Sequence, residues 1–242
     1  MNAKETLKAL ATLGTAQNRK VYARHGVRPP AFGVSYAHLG QLARKLAGEH
    51  EVALELWASG NHDARVLATK IADPARLDAR TLLAWGRALD NYVLTDALAG
   101  LVARSPAAAA VQAKWLAAKG EWPSSAGWSV LCARLHGGEP VPARELARHL
   151  AAIESRISDA PNRTRHAMNG ALIAIGVAAP ELRAEALAVA RRLGTVEVDH
   201  GETGCKTPDA ASYIAKTLAH RSKAGRKPAK ASARPRAKPA RR

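Results

Sequence analysis

From Thr6 to Ala219 the chain runs as a succession of short segments in which apolar residues return every three or four positions, separated by breaks of Gly, Pro, Asn, Asp and Ser. That period belongs to an α-helix with one buried face, whereas a half-buried strand needs strict alternation. Two segments show the pattern plainly. Ser35 precedes a stretch to His50 with Leu39, Leu42, Ala43 and Leu46 on one face, and Asn61 precedes a stretch to Ala72 with Ala64, Leu67, Ala68 and Ile71 on one face. Ser and Asn are side-chain N-caps by type, and Asp63 in the first turn suits the positive end of a helix dipole. Pro29-Pro30 and Asp73-Pro74 stand where a helix has to stop, because proline has no N–H to donate. About a dozen helices follow from this grammar, the last expected over Pro208–Ala219, and almost no run reads as a strand. Aromatic residues at only 4% and the abundance of alanine agree with that reading.

Helices of this length and number form either a globular bundle or a stack of helix pairs, and internal repetition separates the two. Trp57-Ala58-Ser59-Gly60-Asn61 leading to Leu67 resembles the stretch from Trp115 to Leu131: each has a tryptophan ending one helix, a turn, and an alanine-rich helix beyond. That is helix-pair stacking of the HEAT type. The expected fold is all-α, a right-handed solenoid of HEAT-like helix pairs over residues 1–219, followed by a disordered basic tail over 220–242.

The tail follows from charge and composition. Of a net charge of +17, ten Lys or Arg residues with no acid fall after residue 219, leaving the body at +7. A Lys/Arg/Ala/Pro stretch cannot bury enough apolar area to offset its ordering entropy. Its natural partner is a polyanion, since neutralised phosphates release condensed counterions; the alternatives are a solubility tail or one that touches RNA. The two cysteines, Cys132 and Cys205, lie far apart, no leading apolar segment suggests a signal peptide, and no stretch is apolar enough to span a bilayer. These features point to a cytoplasmic, nucleoid-associated protein with no membrane contact, no obligate protein partner and a monomeric state.

Phe32-Gly33-Val34 before a helix, Glu55-Leu56-Trp57, and above all the run Leu89 to Leu98 (LDNYVLTDAL) resemble the HEAT-like-repeat DNA alkylation repair family, the AlkD-like alkylpurine DNA glycosylases, over residues 6–219. The resemblance implies binding of double-stranded DNA and removal of N3- or N7-alkylated purines, with no metal and no cofactor. It places Asp96 at the family's catalytic aspartate and Tyr92 where its glycosylases carry tryptophan. Read for themselves, Tyr92 and Asp96 are four apart and share a helix face. A carboxylate there can stabilise positive charge developing on a sugar, and an aromatic wall attracts a cationic base. The pair also reads as a solvated acid beside a half-buried ring. At two places the chain departs from the family: Ser125 stands where a backbone-binding arginine is expected, and a second cleft tryptophan is absent near Ala167–Gly170. Arg163, Arg165 and His166 lie near that gap and could supply phosphate contacts; Trp122 or Trp128 could replace the tryptophan. In the tail, Arg221, Lys223, Arg226 and Lys227 are further phosphate contacts by charge.

One stretch remains, Val198 to Asp209 (VDHGETGCKTPD). Asp199, His200, Glu202 and Cys205 are ligand types for zinc, but the paired spacings of closed zinc sites are missing. Gly201 and Gly204 permit positive φ, Thr207 can cap, and Pro208 suits the first helical position. The stretch therefore reads as an ordered turn into the last helix, with a metal site or a polar cleft lining as alternatives. Two functions remain open at this point: a DNA glycosylase using Asp96 and Tyr92, or a non-catalytic nucleic-acid-binding or scaffolding solenoid.

Overall fold

The computed structural model describes residues 1–225, with side chains to residue 222. Thirteen α-helices and two short 3-10 turns make up the described chain, and no strand occurs among these residues. In order they are α1 (Ala3–Leu13), α2 (Ala16–Arg24), α3 (Tyr36–Lys45), α4 (His50–Ala58), α5 (His62–Ile71), α6 (Ala79–Gly86), α7 (Tyr92–Val102), α8 (Ala108–Leu116), α9 (Glu121–His136), α10 (Ala143–Arg156), α11 (Asn162–Ala178), α12 (Arg183–Leu193) and α13 (Ala210–Gly225). No described helix is long and apolar enough to cross a membrane.

The capping chemistry expected from sequence is in place. Ser35 Oγ accepts from His38 N at 3.2 Å and Asn61 Oδ1 from Ala64 N at 3.3 Å; Asn91 caps α7 in the same way, its Oδ1 accepting from Leu94 N at 3.0 Å. Three boundaries differ from expectation. The stretch that Ser35 opens stops at Lys45 rather than running to His50, because the chain turns at Gly48 with φ +87 and His50 begins α4. The last helix opens at Ala210, with Asp209 capping Ser212 N at 2.8 Å, and runs to Gly225 rather than stopping at 219. Its final turns are rich in Ala, Lys and Arg, good helix formers, so the positive charge of the tail by itself does not end the helix. The tail beyond 225, with its expected disorder, lies outside the described residues.

Packing is that of stacked pairs: α4 with α5, α6 with α7, α8 with α9, α10 with α11, α12 with α13. The second member of each pair also packs on the next, so α5, α7, α9, α11 and α13 form one continuous inner layer, which α3 joins at α5. Two buried clusters, one running from Ala3 to Val130 and the other from Trp128 to Ile214, meet at α9. Trp57 and Trp85 stack at 4.1 Å with planes 2° apart, and Trp115 lies against Gly86, so these repeated tryptophans are core. At Gly127 the backbone of α8 comes so close that an added Cβ would sit 2.8 Å from Leu116 N. Gly127→Ala is therefore expected to cost about 1–3 kcal/mol, because two helix backbones cannot separate without opening the core. Chemical denaturation measures it, and an unchanged midpoint would contradict the close approach.

Asp63 behaves differently from a first-turn dipole residue. It is wholly buried, and its carboxylate accepts from Phe32 N at 2.6 Å, Gly33 N at 3.1 Å and Val34 N at 2.8 Å. Gly33 has φ +78, and a Cβ there would meet Thr15 O at 2.7 Å, so the segment between α2 and α3 can be fastened this way only with glycine. This fastening holds α2, a polar helix with no buried residue, over the ends of the inner layer.

Candidate nucleic-acid interface

The starts of the inner helices carry the site. Tyr92 is the first residue of α7, and its hydroxyl pairs with His25 Nδ1 from the end of α2. Over its ring lies the guanidinium of Arg163, with Cζ 4.0 Å from the ring centroid. One turn further along α7, the Asp96 carboxylate accepts from Ser129 Oγ of α9 at 3.0 Å. Asp96 is exposed to water yet recessed among the inner helices. Contact with solvent and long-range solvation differ here: the carboxylate meets water on one side and protein on the others. Burial raises its pKa, while the Ser129 bond and the nearby Arg163 oppose the shift. Cys132, close by, is pushed up to about 12 by burial and then by Asp96, which leaves its thiol protonated and unreactive at neutral pH.

Sequence reasoning missed Tyr36 and Lys70. Tyr36 opens α3 and is exposed; its phenol is raised by burial first, then by Asp63, Asp96 and Tyr92, which are within Coulomb range. Lys70 Nζ lies 5.7 Å from its ring centroid. A signal was available: Tyr36, His62 and Tyr92 each directly follow an N-cap (Ser35, Asn61, Asn91), a repeated aromatic at the first position of an inner helix.

The other expected residues separate. Arg163 is the second residue of α11; its backbone N donates to Glu121 Oε1 at 2.7 Å, and its guanidinium lies 3.4 Å from His200 Nδ1. Arg165, two positions on, turns by about 200° around the helix and faces Thr195–Glu197 instead. It does not join the Tyr92 site. Trp122 lines the main cavity, but Trp128 is 3% exposed and packs edge-on to His149 in the second core cluster. Six positions of a helix turn about 240°, so these two tryptophans cannot share a face, and Trp128 is a core residue rather than a cleft residue. Ser125, too, is buried, 3.3 Å from Thr164 Oγ1 between α9 and α11. An arginine in its place would have no route to the surface. Arg221 is exposed near the end of α13; the Lys223 side chain and Arg226 and Lys227 fall outside the described residues.

The Val198–Asp209 stretch is an ordered turn that also lines the cavity. Asn162 clasps Asp199 with two 2.7 Å bonds to its backbone N and O, the Asp199 carboxylate accepts from Gly201 N at 2.7 Å, and His200 Nε2 lies 2.9 Å from Thr207 Oγ1. Thr207 thus bonds within the turn, and the cap of α13 is Asp209. Among the described residues no group of three His, Cys, Asp or Glu side chains gathers as a metal site. His166 packs edge-on to His200 and is held down at about 4 by burial, Arg163 and His200; His200 is lowered by burial and Arg163. At neutral pH the fixed positive charge at this point is therefore that of Arg163. Between α2, the starts of α7, α9 and α11, and this turn lies an open cavity of about 1030 Å³.

Known proteins resemble this chain in sequence and fold. A family model described as DNA alkylation repair enzyme matches residues 3–214. The uncharacterized protein Lin0241 of Listeria innocua is 29% identical over 213 residues, covering 86% of this chain and 93% of that protein. Lmo0209 of Listeria monocytogenes is 28% identical over the same length and coverage. A solved structure from work on "a new family of proteins related to the HEAT-like repeat DNA glycosylases with affinity for branched DNA structures" superposes with a TM-score of 0.84 at 30% identity, covering 91% of this chain and 95% of that one. With the helical-repeat fold and a family match that spans nearly every described helix, the chain belongs to the DNA alkylation repair enzyme family.

Proposed function

We propose that this protein binds DNA on its inner helical face, preferring branched over linear duplex, and that binding rather than base excision is its activity. One observation carries the reading: the Arg163 guanidinium rests on the Tyr92 ring, within Coulomb range of Asp96. A glycosylase for alkylated purines needs that ring and that carboxylate free for a cationic base and a developing oxocarbenium ion. A resident cation repels both and favours a phosphate instead. The affinity for branched DNA described for the structural relative supports the choice of substrate.

A second reading, excision of N3- or N7-alkylated purines, has its own support in the exposed carboxylate of Asp96 facing the inner side, with Tyr92 beside it. The two are separated by incubating the protein with duplex carrying N7-methylguanine, and by titrating a labelled four-way junction and a labelled fork with unpaired arms against linear duplex of equal length. The binding reading expects no base release above spontaneous depurination, a preference of about tenfold for at least one of the branched substrates, and the same affinity for it in Asp96→Asn, since affinity rests on cations. Release that falls at least about tenfold in Asp96→Asn, roughly 1.4 kcal/mol of transition-state stabilisation, installs the glycosylase reading instead.

A further inference from the structure

The cavity beside the Tyr92 site is polarised in a way that duplex DNA cannot use. One wall is α2, whose Gln17, Lys20 and Arg24 recur at positions that share a helix face, all exposed and all lining the cavity. Tyr22 points the other way: its hydroxyl bonds to Val34 O, and its ring meets His62 edge-on at 5.6 Å. The helix is thus fixed with its cationic stripe turned inward. The carboxylates of Glu121, Asp199 and Glu202 line it as well, and Trp122 supplies aromatic surface, the Tyr92 ring being covered by Arg163. Paired bases hide both their faces and their Watson–Crick edges, so aromatic walls and acceptors are useful only to a nucleotide outside the stack. Basic side chains along a backbone track with aromatic platforms beside them are what single strands bind.

We infer that this cavity takes the unpaired strand of a branched DNA, with phosphates on Lys20, Arg24 and Arg163 and the bases against Trp122, their amino groups toward Glu121 and Glu202. Its volume, about 1030 Å³, accommodates a short unpaired stretch. This rests on the proposed DNA-binding function and specifies which feature of branched DNA is recognised. The end of α2 and Gly201 of the turn meet at one edge of the cavity, where a Cβ at Gly201 would lie 3.7 Å from Arg24 O, so segments far apart in sequence close that edge together.

The test compares a labelled duplex bearing an unpaired arm of about ten nucleotides with a blunt duplex and with a fully paired three-way junction, using the full chain. The wild type is expected to prefer the armed duplex over the blunt one by about tenfold, and Lys20→Glu/Arg24→Glu to cut that ratio to within about twofold. General electrostatic weakening lowers both affinities together and leaves the ratio unchanged, so the ratio isolates the cavity. Both side chains are exposed, and the helical circular dichroism signal of the double variant checks that it folds. A ratio unchanged in the variant, or a paired junction bound as tightly as the armed duplex, overturns the inference while leaving branched-DNA binding intact. A wild type that binds none of these branched substrates overturns that function together with the inference.

Discussion

Asp63→Ala is expected to lower the stability of the protein by about 3–5 kcal/mol, which in a domain of ordinary stability leaves much of the chain unfolded at physiological temperature. The reason is the number of groups that depend on one carboxylate. Phe32, Gly33 and Val34 all direct their backbone N–H groups at it, and Val34 and Asp63 are fully buried. Without the carboxylate these donors lose their partner where water cannot readily replace it, at about 1–3 kcal/mol for each fully buried group and less than additively. Asp63→Asn retains part of the network through its carbonyl oxygen and is expected to fall between wild type and alanine. Urea denaturation followed by circular dichroism gives the ordering. Equal stability of wild type and Asp63→Ala would mean that the segment from Phe32 to Val34 is held by packing alone. The same variants also loosen α2 and with it the cationic wall of the cavity, so branched-DNA preference should decline even in the folded fraction.

The second large effect belongs to the tail. Residues 226–242 contain eight Lys or Arg and no acid. Counterion release depends on charge density and needs no defined conformation, at a slope of about 0.9 in log K against log salt for each duplex phosphate neutralised. If half of these cations meet phosphate, the full chain loses affinity about 100-fold more steeply than a chain ending at 225 between roughly 50 and 200 mM salt. The loss on truncation is expected to be the same for every sequence, because Lys and Arg contacts to phosphate carry no sequence information. It is also expected to leave the armed-to-blunt ratio nearly intact, since that ratio comes from Lys20 and Arg24 in the folded body. An identical salt slope for full and truncated chains would assign the tail to another partner.

The all-helical repeat architecture was legible in the sequence because its causes are local. Side-chain caps at Ser35 and Asn61, proline stops and a period near 3.6 act within a few residues of one another, and both caps appear where expected. The pairing of Tyr92 with Asp96 on one face was equally local, four positions on one helix. The resemblance to DNA alkylation repair proteins was carried by such short runs, and the family match bears it out.

What the sequence could not determine is which side of each helix meets which neighbour. Trp122 and Trp128 were equal candidates in one dimension; the packing of α9 between α7, α8 and α11 decides that the first lines a cavity and the second is core. Arg163 and Arg165 were paired by proximity in the chain and are separated by the turn of α11. Asp63 resembled a dipole residue until the chain folded Phe32–Val34 back over it, thirty residues away. His25, without meaning in its own segment, reaches Tyr92 across sixty-seven residues, and the Asp199–Glu202 turn reaches the end of α2 from the other end of the body. The sequence by itself determined the helices, their caps and the charge of the tail, because those depend on neighbours within a turn or on composition. Only the tertiary structure decided that a cation lies on Tyr92 and that a cavity opens beside it, because both depend on the stacking angle of helices that are remote in the chain and adjacent in space.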